Sequence, residues 1–111
     1  MSTSASAFIG RWRITEMETW DADYCDMEVP AHITVHQDLS GELQFGLVRG
    51  ELDGRVLTSD GKARLEFSWA GFDENDPASG RGWLQANGDV AEGYIVFDAG
   101  DDSTLTAIRR K

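Results

Sequence analysis

The sequence predicts an all-β protein: an antiparallel up-and-down barrel of about eight strands with a short helical cap between strands one and two. Three observations carry this expectation. Apolar and polar residues alternate with period two along most of the chain, the mark of strands with one buried side. Turn signals rich in Gly, Asp and Asn separate these runs, and 12 glycines stand against 2 prolines. Hairpin follows hairpin, which favours a meander over Greek-key crossings, and closure removes the exposed edges of an open sheet. A two-sheet sandwich is the structural alternative.

The first strand is read from Phe8 to Thr15, with Phe8, Gly10, Trp12 and Ile14 on the buried face. His32 to His36 forms the second, with Ile33 and Val35 inward, and Asp38 to Gly41 turns the chain. Glu42 to Val48 follows, with Leu43, Phe45 and Leu47 sharing a face. Leu52 and Val56 mark a weaker fourth strand, where a bulge at Gly50 or Gly54 would account for the unclear parity. Ser59-Asp60-Gly61-Lys62 is a hairpin signal. Ala63 to Gly71 places Leu65, Phe67 and Trp69 on one face. A polar loop is expected from Phe72 to Gly80, a short strand from Arg81 to Ala86 and a turn at Asn87-Gly88-Asp89. Val90 to Phe97 and Thr104 to Arg110 complete the set, joined by a loop from Asp98 to Ser103.

One stretch breaks the period. Met17, Trp20, Tyr24 and Met27 recur at helical spacing, with Asp21, Asp23 and Asp26 on the opposite face. The poor helix propensity of aspartate and the stop at Pro30 limit this to a turn or two, read as a cap over one barrel end.

At 111 residues the chain forms a single domain, residues 8–111, behind a flexible tail from Met1 to Ala7. The net charge of −10 repels phosphate backbones, so nucleic-acid binding is not expected. No signal peptide or long apolar run is read, and Cys25 is the only cysteine, so no internal disulfide forms. The expectation is a cytoplasmic protein with no membrane partner.

The Gly10-x-Trp12 pair on the first strand and Arg109 on the last suggest that the chain ends meet, with the arginine lying across the indole. This pattern resembles the lipocalin and fatty-acid-binding superfamily, and also the shorter avidin-type barrels. The resemblance implies a barrel closed at one end by Gly10, Trp12 and Arg109, with a ligand at the other. The string containing Gly-Arg-Trp-Arg-Ile, Phe-Ser-Trp-Ala-Gly and Ser-Gly-Arg-Gly-Trp also looks like small bacterial proteins, a likeness that implies no activity.

Chemical motifs are sparse. His32 and His36 on a strand stand about 13 Å apart, too far to chelate one ion, and read as exposed. The Asp21–Asp26, Asp73–Asp76 and Asp98–Asp102 clusters lack the calcium-loop pattern and read as solvated turns. Cys25 has acidic neighbours that raise its pKa, so an inert thiol is expected. Neither a cofactor nor a metal is implied, and no catalytic residue is assigned.

The first expected function is therefore non-catalytic binding of a small, largely apolar molecule. Trp20, Tyr24, Trp69 and Trp83 would shape the site, and Arg49 or Arg81 would pair with an anionic group. Phe8, Trp12, Phe45, Phe67 and Trp69 all point inward, and such residues can fill so narrow a barrel. Two alternatives stay open: an acidic protein-interaction or inhibitor module with a filled barrel, and an enzyme using an acidic Asp73–Asp76 loop over the mouth. Ligand identity and oligomeric state are not encoded in any motif.

Overall fold

The computed structural model describes residues 3–98 and 100–110. Its core is a closed antiparallel barrel of eight strands in sequential order. The strands are β1 (Gly10–Met17), β2 (His32–Val35), β3 (Ser40–Phe45), β4 (Val48–Ser59), β5 (Lys62–Asp73), β6 (Asp76–Asn87), β7 (Val90–Phe97) and β8 (Asp102–Arg110). One helical turn, α1 (Thr3–Ser6), precedes the barrel, and another, α2 (Ala22–Cys25), lies between β1 and β2. The seam closes where β8 pairs with β1, from Arg11 opposite Arg110 to Met17 opposite Leu105.

Turn chemistry sets the hairpins. Asp60 and Gly61 both take positive φ, 54° and 77°, the geometry whose twist matches the strands of a two-residue hairpin. Several boundaries differ from the sequence reading. The expected polar loop from Phe72 to Gly80 is instead the tip of one long hairpin, with Asp73 opposite Asp76 across a turn at Glu74-Asn75. Glu74 enters the left-handed region at φ 61°, and its N–H donates to the Leu47 carbonyl at 2.9 Å, so the ladder closes one pair further on. β3 ends at Phe45, and Leu47 sits in the next turn, leaving Val48 as the buried residue that resumes the inward face.

No bulge occurs at Gly50 or Gly54: β4 stays in register with both neighbours. Its parity is faint because these glycines occupy inward positions, where a Cβ would strike Trp69 and Leu65 at 2.9 Å. The register shift falls in β1, between Ile14 and Glu16. Thr15 is the extra residue, so Thr15 and Glu16 both face solvent while Met17 returns to the core.

The middle of the barrel is filled. Ile33, Leu43, Leu65, Leu84, Ile95 and Leu105 are buried there, within one continuous apolar cluster. Large residues face small ones: a Cβ on Gly82 would lie 2.5 Å from the Phe67 ring. An eight-stranded barrel is just wide enough for this interdigitation.

The end opposite α2 is shut by Phe8 and Trp12, buried at 1% and 0% exposure. The Trp12 indole N–H donates to the Phe8 carbonyl at 2.9 Å. Of the N-terminal segment read as a tail, Met1 and Ser2 lie outside the described residues. Thr3–Ser6 form α1, and Ala7 packs on the core. Among the described residues, no helix is long and apolar enough to cross a membrane.

Candidate functional site

The cap is the short helix expected between strands one and two, a single turn. Only Ala22–Cys25 are helical; Met17 belongs to β1 and Met27 is 54% exposed. Asp21 caps the turn, its carboxylate accepting from the Tyr24 N–H at 2.9 Å. The far end is tied by Arg13, whose guanidinium donates to both Asp26 oxygens at 2.9 Å, while Asp26 also accepts the Ala31 N–H. These contacts hold the Asp26 carboxyl below the ordinary aspartate range, the Arg13 hydrogen bond being the main cause.

The cap is seated on the β3–β4 turn. Gly46 donates its N–H to the Cys25 carbonyl at 2.8 Å and takes φ 58°. A Cβ there would sit 2.2 Å from the Tyr24 ring, so glycine is required both by conformation and by contact. The Cys25 thiol is buried, and its pKa is raised by that burial first and by Asp26 and Asp21 next.

This seating presents an aromatic surface. The Trp20 ring lies 5.2 Å from Phe45, 5.8 Å from Phe97 and 6.4 Å from Tyr24, centroid to centroid. Trp69 meets Phe97 edge-on at 5.0 Å and donates its indole N–H to the Val96 carbonyl. Trp20, Tyr24 and Phe97 border a recess of about 560 Å³ between the cap and the overhanging β5–β6 hairpin. Its remaining wall comes from the residues around that hairpin tip and from the β7–β8 connection.

Four carboxylates stand around the recess: Asp73, Asp76, Asp98 and Asp101. Asp98 is oriented by Ser79, whose hydroxyl donates to it at 3.0 Å. Among the described residues, no Lys, Arg or His lines the recess. The Tyr24 phenol, against this wall, has its pKa raised chiefly by burial, with Asp73 and Glu74 adding to the shift. Among the described residues, no three metal-ligating side chains converge to hold an ion.

The six residues expected to shape a ligand site separate in the structure. Trp20 and Tyr24 line the recess. Trp69 is buried behind Phe97 and supports the floor from below. Arg49, Arg81 and Trp83 lie on the outer wall, because their strand parity opposes that of Val48, Gly82 and Leu84. Trp83 is half-buried there, with the Arg64 guanidinium carbon 4.0 Å from its ring centroid. His32 is also placed differently from expectation: it is buried, with Nδ1 2.9 Å from the Pro30 carbonyl, and His36 lies outside β2.

Phe97 was within reach of sequence reasoning, since it continues the inward parity of Ala91, Gly93 and Ile95. Asp98 and Asp101 were not, because loop residues carry no periodic signal.

At the opposite end, the Arg109 guanidinium carbon lies 4.8 Å from the Trp12 ring centroid. Arg109 also donates to the carbonyls of Ala7, Ile9 and Gly88 and to the Asp89 carboxylate. Gly10, at φ 131°, leaves room for that side chain: a Cβ would lie 2.9 Å from Arg109 Cδ. Compared with known proteins, the chain matches no family model, no curated protein and no solved structure.

Proposed function

We propose that this barrel binds a small, largely apolar molecule, without catalysis, in the recess at its capped end. The observation that carries the reading is the recess itself: about 560 Å³ of concave space against the rings of Trp20, Tyr24 and Phe97. Ligand sites are concave, mostly apolar and largely pre-formed, and this volume falls in their range. With the middle of the barrel filled, the ligand in this reading sits at the mouth rather than deep inside. A barrel shut at one end and concave at the other also suits the resemblance to lipocalins. Arg49 and Arg81 on the outer wall take no part in this site, so pairing with an anionic group is not included. A cytoplasmic setting fits the single cysteine, which leaves no internal disulfide.

The test is a titration of intrinsic tryptophan fluorescence with small apolar compounds, run on the native chain and on Trp20→Phe. A saturable change that loses most of its amplitude in the variant supports the reading. A saturable change of unaltered amplitude, or no saturable change at all, contradicts it.

A second reading draws on the packed barrel middle and the net charge of −10: an acidic module that docks on a basic protein. It predicts salt-sensitive capture of a basic partner from the native lysate. Capture that does not change with salt would count against it.

A further inference from the structure

The same recess points to the chemical class of its ligand, and this step rests on the binding reading above. The rings on its floor and the carboxylates on its rim are separate features of the chain, contributed by different elements. Trp20 and Tyr24 come from the cap region and Phe97 from the end of β7. Asp73 and Asp76 come from the β5–β6 hairpin, and Asp98 and Asp101 from the β7–β8 connection. Both features select the same sign of charge, because an aromatic face carries negative potential as a carboxylate does.

Among the described residues, the rim carboxylates carry no ion pair. Asp73 and Asp76 are direct register partners across the hairpin, a like-charge pairing that disfavours the turn. Among the described residues, the ion pairs are Arg13–Asp26, His36–Glu42 and Arg109–Asp89, and none reaches the rim. The carboxylates are spread around a wide recess instead of converging as metal ligands do. Among the described residues, no coordination shell for a compact inorganic cation is assembled here. A charged group attached to an apolar body can use the rings and the rim together.

We infer that the recess selects an organic cation: a small amphipathic amine whose apolar body lies on Trp20, Tyr24 and Phe97 and whose ammonium faces Asp73, Asp76, Asp98 and Asp101. The amine stays protonated at neutral pH and gains from both the ring faces and the carboxylates.

The experiment compares three probes of one shape: phenethylamine, phenethyl alcohol and hydrocinnamate, each titrated by tryptophan fluorescence at low and high salt. Phenethylamine is expected to bind about five-fold or more tightly than the alcohol, and hydrocinnamate most weakly. High salt should narrow the gap between amine and alcohol. The Asp73→Asn/Asp76→Asn variant should lose most of the amine preference and keep the affinity for the alcohol. Its thermal unfolding, unchanged or shifted upward, shows that the barrel is intact.

Equal or tighter binding of the alcohol or of hydrocinnamate overturns the cation assignment and leaves the recess as a neutral site. An amine preference untouched by both the double variant and salt overturns it as well, since the charge would be read elsewhere. No saturable response from any of the three overturns the binding reading along with it.

Discussion

Arg109 and Trp12 are register partners across the β1–β8 seam, with the guanidinium carbon 4.8 Å from the indole centroid. One side chain thereby ties the last strand to the first, to the segment around Ala7 and Ile9, and to the β6–β7 turn. A planar cation with a fixed fork of donors suits this place, since it stacks and donates in several directions at once.

Replacing Arg109 with Gln removes the stacked charge, most of the donors and the contact between the guanidinium and Asp89. A loss of about 2–3 kcal/mol in unfolding free energy is expected, read from urea denaturation. Arg109→Lys keeps the charge but not the fork, and should recover less than half of that loss.

Gly46→Ala tests the seating of the cap. The left-handed φ alone costs about 1 kcal/mol, and displacement of the Tyr24 ring adds to it. The variant is expected to unfold at a lower temperature and to show a changed Trp20 environment in near-UV circular dichroism. An unaltered spectrum would mean that the cap does not rest on this turn.

The Arg13–Asp26 pair predicts an acid limb. Asp26 has a lowered pKa in the folded chain, so it binds a proton less readily there than in the unfolded chain. Its contribution to stability is complete above the ordinary aspartate value of about 3.9 and is lost as pH falls through the lower folded value. Asp26→Asn should therefore be less stable than the native chain at neutral pH, and the difference should shrink below about pH 4. Denaturation midpoints measured between neutral pH and about pH 2 check the sign.

At the rim, Asp76→Asn removes one half of a like-charge pair. A gain of a few tenths of a kcal/mol, roughly 0.2–1, is expected at low salt, shrinking as salt rises. A loss of stability would show that Asp76 has a structural partner.

Period-two alternation was enough to place the strands because burial on one side imposes it, as in β7, whose bounds Val90 and Phe97 were read directly. It failed where the inward residue is glycine. Gly50 and Gly54 on β4, and Gly80 and Gly82 on β6, face Trp69, Leu65 and Phe67, so the partner's size hides the pattern. The acidic tip from Asp73 to Asp76 read as a loop because aspartate disfavours strands, yet the ladder carries through it. The candidate site was only half visible for another reason. Parity gives a residue's face but not its height along the barrel or which elements meet at a mouth. Trp83 and Arg81 were thus grouped with Trp20 although the wall separates them. Asp98 and Asp101 join the recess through a connection whose path no local pattern encodes.

The four tryptophans offer the most direct test of the central claim, that the ligand sits at the capped end. Their indole N–H resonances are followed by two-dimensional NMR as phenethylamine is added to isotope-labelled protein. Trp20 lines the recess, Trp12 closes the opposite end and Trp83 stacks under Arg64 on the outer wall. The account predicts a saturable shift of the Trp20 resonance, a smaller one at Trp69 behind Phe97, and none at Trp12 or Trp83. Saturable movement of Trp83 or Trp12 with Trp20 unchanged would contradict it.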